Sequence, residues 1–113
     1  MTGYDFHPKA AIDLDEIWDF IADDSVDAAD RVIEDILARI GALVPFPQQG
    51  HKRPDLTSGP LRFTVVHEYL IAYAPDPSPL WVVAVMHGRR SPRVLAAILR
   101  GRGSPGQTPE PTF

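Results

Sequence analysis

The side chains with the most chemical capacity in this sequence follow one apolar run. Leu80 to Arg90 reads LWVVAVMHGRR, so His87, Arg89 and Arg90 come directly after seven apolar residues and a short break. An imidazole titrates near neutrality and can give or take a proton, while a guanidinium keeps its charge and can hold an anion or stabilise one as it forms. Arg62, inside an otherwise apolar stretch, and the loop triplet His51, Lys52 and Arg53 are further cationic groups, and the triplet could contact phosphate. Each has a plainer reading beside the chemical one. Arg89 and Arg90 can mark a strand's exit into water, and His87 can pack at the edge of the sheet. A guanidinium within a sheet is either on an open face or paired, and a basic loop triplet is commonly solvated surface.

The elements that must position these groups follow from periodicity. A short Val-rich apolar run is what a strand covered on both faces requires, so 80–87 is expected at the centre of a sheet. LRFTVVH, with Leu61, Phe63 and Val65 alternating against Arg62 and Thr64, and the run Tyr69 to Tyr73 are two strands separated by a gap short enough for a hairpin. PDPSP at 75–79 is a turn, which returns the third strand antiparallel and completes a meander.

Before these strands the period changes. Tyr4, Asp5, Phe6 and His7 alternate as a short strand, and Pro8 suits the first turn of a helix. Leu14, Ile17, Trp18 and Ile21 then form one helical stripe, with Asp13, Asp15, Glu16, Asp19 and Asp23 expected on its solvated face. Asp24 or Ser25 can cap a second helix, in which Ala29, Val32, Ile33, Ile36, Leu37, Ile40 and Leu43 repeat at three-and-four spacing. The short break between the two helices predicts an antiparallel hairpin. Pro45, Pro47 and Gly50 stop the second helix, and PFPQQGHKRPDLTSGP is a loop. Ser91 and Pro92 begin a last short helix ending near Gly101. Residues 1–100 are therefore expected to be one α+β domain, with Trp18, Ile36, Ile40, Phe63, Ile71, Val83 and Val85 in one core. Residues 101–113, poor in apolar side chains, are expected to be a disordered tail.

Composition narrows the function classes. The 113 residues contain no Cys, which excludes disulfides, thiol catalysis and Cys-based metal sites. No apolar run approaches the roughly 18 residues that span a bilayer, and the N-terminus lacks a basic region followed by an apolar one, so a cytoplasmic location without membrane contact is expected. The net charge of −4 hides an asymmetry: residues 1–44 carry eleven acidic and three basic side chains, whereas 45–113 carry four acidic and eight basic. Only the second part would attract a phosphate backbone or an acidic partner.

In order and spacing, AAIDLDEIWDFIADDS, FPQQGHKRPDL, RFTVVHEYLIAY and VVAVMHGRRSP resemble the RelE/ParE superfamily of bacterial type II toxins over about residues 4–100. The resemblance implies a small antiparallel sheet, its first strand at the edge, packed on an N-terminal helical hairpin, with a short C-terminal helix. It also implies a cognate antitoxin in a hetero-oligomer, with Leu14, Trp18, Ile21, Ile33 and Arg62 as contacts, and neither cofactor nor metal.

The RelE-like branch cleaves messenger on the ribosome, and there Arg62, His87 and Arg90 would be catalytic. Arg62 matches the second-strand arginine of that branch, and Arg89 or Arg90 the one after the last strand. The ParE-like branch inhibits DNA gyrase, and there Arg62, His87, Arg89, Arg90 and Arg93 would bind the target or partner. RNA cleavage by 2′-hydroxyl attack needs a base, an acid and a phosphorane-stabilising cation. The C-terminal Tyr common in RelE-like sites is absent, since no Tyr follows Tyr73, and His51 and Lys52 are the remaining candidates for the second proton transfer. The ParE-like branch is therefore favoured. A third reading is a non-toxic interaction module that binds only an antitoxin-like partner.

Overall fold

The computed structural model describes residues 3–76 and 79–102. Strand β1, Tyr4–Phe6, leads into helix α1, Pro8–Ala22, and helix α2, Val26–Leu43. After a loop with one 3-10 turn come strands β2, Arg62–Val66, β3, Tyr69–Ala74, and β4, Leu80–His87, then helix α3, Pro92–Arg100. Local chemistry explains the boundaries. Pro8 opens α1 where a missing N–H is harmless, the Ser25 hydroxyl accepts from the Ala28 amide to cap α2, and Ser91 does the same for α3 through Val94.

The strands form one sheet in the order β1-β4-β3-β2. β2, β3 and β4 are the expected antiparallel meander, and β1 lies at the edge as expected but runs parallel to β4, which makes the sheet mixed. β4 is central, flanked by β1 and β3, and its apolar run reflects cover on both faces.

Instead of the single expected core there are two, one on each face of the sheet. Ile36, Ile40, Ile71 and Val85 pack beneath the α1–α2 hairpin, whereas Phe63 and Val83 belong to the opposite cluster with Leu56, Leu95 and Leu99. A strand alternates its side chains, so Phe63 and Ile71, on neighbouring strands but out of register by one, must part company. Val65 shares the face of Phe63 but is exposed, since the cluster on that face takes in Leu61 and Phe63 and stops short of Val65. Trp18 is half-buried rather than core: its indole N–H donates to Asp30 Oδ1 at 2.8 Å and ties α1 to α2 at their surface.

Two further residues depart from expectation. Asp13, placed on the solvated face of α1, is only 14% exposed in its side chain, and Arg102, placed in the tail, is 11% exposed and forms an ion pair with it. The chain is thus tied into the domain at least as far as Arg102. Gly103–Phe113, the rest of the predicted tail, lie outside the described residues.

Candidate functional site

His87 ends β4, and residues 88–90 turn the chain into α3. The Arg90 amide donates to the His87 carbonyl at 3.2 Å, so the turn projects Arg89 and Arg90 into solvent. Arg93 follows, exposed, in the first turn of α3. Arg89, Arg90 and Arg93 form no ion pair with any other described residue. Three unneutralised guanidiniums at one end of the sheet form a cationic surface suited to an acidic or phosphate-bearing partner.

The imidazole of His87 is already occupied. Its Nε2 lies 3.1 Å from Glu68 Oε1, and its Nδ1 accepts from the Arg89 amide at 3.2 Å. Because Nδ1 is an acceptor, the ring proton sits on Nε2 and faces the carboxylate. The ring also stands edge-on to Tyr69, centroids 5.5 Å apart, and its side chain is 34% exposed. No lone pair is left to take a proton from a substrate in this arrangement.

Arg62 lies far from this group. It opposes Tyr73, which opposes Val82, whereas His87 opposes Tyr69, which opposes Val66. Arg62 and His87 are therefore on the same face but at opposite ends of strands that run in the same direction. From about 3.3 Å per residue along strands and about 4.8 Å between them, their backbones are roughly 16 Å apart. The Arg62 guanidinium serves the loop instead: Nη1 donates to the Gly50 carbonyl at 2.9 Å, and Nε is buried without a partner among the described residues. Arg62, His87 and Arg90, which a ribonuclease site would require together, are thus not assembled, although His87 and Arg90 do line one groove.

His51 and Lys52 are exposed on the outer edge of β2, where the His51 backbone exchanges hydrogen bonds with Phe63. Arg53 is paired with Asp55, which lowers the carboxyl's pKa through the hydrogen bond. The hairpin residues expected to meet an antitoxin divide. Leu14 and Ile21 pack on the domain's own core, Trp18 and Ile33 are half-buried, and α1 turns Ile12 and Phe20 outward.

The groove beside His87 and Arg90 also contains residues that sequence reasoning missed. Asp13, Glu16, Ile17 and Phe20 of α1 form one wall, and Ile98 and Arg102 the other. A signal for Asp13 was present, since it stands three residues after Ala10 and four before Ile17, on the buried stripe of the helix rather than opposite it.

The sequence model of the ParE toxin of type II toxin-antitoxin systems, parDE, matches residues 4–92. The chain belongs to the ParE toxin family. It is thus the toxin component of a toxin–antitoxin pair, and the family implies an antitoxin partner. A comparison with curated proteins finds no match. The matched span begins in β1 and ends at the start of α3, so it includes His87, Arg89 and Arg90 and leaves out Arg93 and Arg102. No described helix is long and apolar enough to cross a membrane.

Proposed function

We propose that this toxin acts in the cytoplasm by binding and inhibiting DNA gyrase, that Arg89, Arg90 and Arg93 form its target-binding surface, and that an antitoxin neutralises it. The separation of Arg62 from His87 carries this reading. Cleavage of RNA needs a base, an acid and a cation within reach of one phosphate, whereas the backbone of Arg62 lies roughly 16 Å from that of His87 and its guanidinium is held by the Gly50 carbonyl. His87 supports it further, since both ring nitrogens are engaged by Glu68 and the Arg89 amide. A gyrase inhibitor needs no proton transfer, only a complementary surface, and unpaired arginines beside apolar groups supply one.

The test is induced expression in a bacterium with two readouts, plasmid topology and messenger integrity. Cleaved or relaxed plasmid with intact ribosome-bound messenger is expected, and His87→Gln should keep that toxicity. Messenger cleavage that disappears in both His87→Gln and Arg62→Ala would replace this reading with the ribonuclease. Unchanged growth would leave a module that binds only its antitoxin.

A further inference from the structure

β1 pairs with β4 only from Leu80 to Val82. From Val83 to His87, the edge of β4 turned away from β3 therefore has no strand beside it among the described residues. This edge floors a groove of about 460 Å³ between α1 and α3. Two side chains stand where the backbone of a neighbouring strand would be. Asp13 Oδ2 accepts from the Val85 amide at 3.0 Å, Arg102 Nη1 donates to the Val83 carbonyl at 3.1 Å, and the two side chains hold each other through a bidentate pair. Acceptor and donor are thus supplied in the alternation a strand would offer. Since N–H and C=O of one strand residue point the same way, the Val85 carbonyl and the His87 amide also face the groove, and the Asp13–Arg102 pair does not reach them.

We propose that an extended segment of the antitoxin adds to this edge as a further strand, and that Asp13 and Arg102 form a latch which the segment displaces. The proposal rests on the antitoxin being the partner of this chain and specifies where, and in what conformation, it binds. The groove states the chemistry of the segment. Its backbone would pair with Val83 to His87, an apolar side chain would cover Phe20, which is 78% exposed, and a carboxylate would neutralise Arg90, which no described residue pairs. An open strand edge is also a liability for aggregation, and an ion pair across it closes that edge while the partner is away.

The experiment uses the full chain purified alone and as the complex with its cognate antitoxin. Amide exchange at His87 should slow at least tenfold in the complex. Arg102→Ala, checked for an unchanged circular dichroism spectrum, should bind the antitoxin several-fold tighter, because no latch competes with the segment. A complex in which the His87 amide exchanges as in the free chain overturns the proposal and leaves the antitoxin reading standing. Weaker binding by a folded Arg102→Ala chain overturns the latch. If no complex forms, the antitoxin reading fails together with the proposal.

Discussion

The hydroxyl of Tyr73 accepts from the Gly50 amide at 2.9 Å and donates to the Pro47 carbonyl at 2.8 Å, fastening the loop after α2 to the middle of the sheet. Burial raises the pKa of this phenol, so it keeps its proton for the second bond. Tyr73→Phe strands a donor and an acceptor and should cost about 1–3 kcal/mol in urea denaturation. Gly50→Ala should also destabilise, since a Cβ there would lie 2.3 Å from the Tyr73 hydroxyl and 2.9 Å from the Phe63 carbonyl. An unchanged midpoint in both variants would show that the loop is not fastened in this way.

The arginines should separate by phenotype. Arg89→Ala with Arg90→Ala removes exposed charges without ionic partners among the described residues, so stability should move by no more than about 0.5 kcal/mol while toxicity falls. Arg62→Ala leaves the Gly50 carbonyl without its donor and should lower stability instead. Equal toxicity in the parent and the double variant, at equal protein levels, would remove these two arginines from the target surface.

His67, in the turn between β2 and β3, has φ of 53°, a left-handed conformation unusual for a side chain of this size, and its Nε2 lies 2.7 Å from Asp35 Oδ2 on α2. His67→Gly relieves strain worth about 1–2 kcal/mol but loses an exposed pair worth about 0–1 kcal/mol, so its midpoint should stay level or rise. His67→Val keeps the strain, adds β-branching and loses the pair, and should melt below the parent. A Val variant as stable as the Gly variant would contradict this account of the turn.

His7 caps α1, its Nδ1 accepting from the Lys9 amide at 3.0 Å. Partial burial, then Arg102 and Lys9, lower its pKa below the ordinary 6.5, with Asp13 opposing them. The folded state therefore prefers the neutral ring. The stability His7 contributes is fully present above about pH 6.5 and is lost as pH falls from there through the lowered folded value. His7→Asn can cap without titrating, so between pH 7 and pH 5 the parent should lose more stability than the variant. Parallel pH profiles would remove His7 as the source.

Much of the fold was legible because the period of apolar residues carries it. The stripe from Ala29 to Leu43, the Val-rich run before His87 and the caps Ser25 and Ser91 each state an element without reference to the rest. What stayed hidden depends on contacts between distant parts of the chain. Asp13 looks like any carboxylate on an acidic helix until the β4 edge and Arg102 arrive beside it. Arg62 opens its strand and His87 closes its own, and only the shared antiparallel pairing of β2 and β4 with β3 shows that these two places lie at opposite ends of the sheet. The division of the core is a matter of register as well, because a list of apolar residues does not say which face each one takes.

The pairing of β1 with β4 also bears on how the protein is made. Tyr4 is synthesised well before its partner Leu80, which follows both helices and two other strands. A contact between residues so far apart in the chain forms late and slowly. During translation the sheet therefore has neither its central strand nor a place for its N-terminus until synthesis has passed β4. The cationic turn at Arg89 and Arg90 emerges at the same late stage. A chain terminated before β4 has the acidic hairpin but neither the finished sheet nor the cationic turn that follows it.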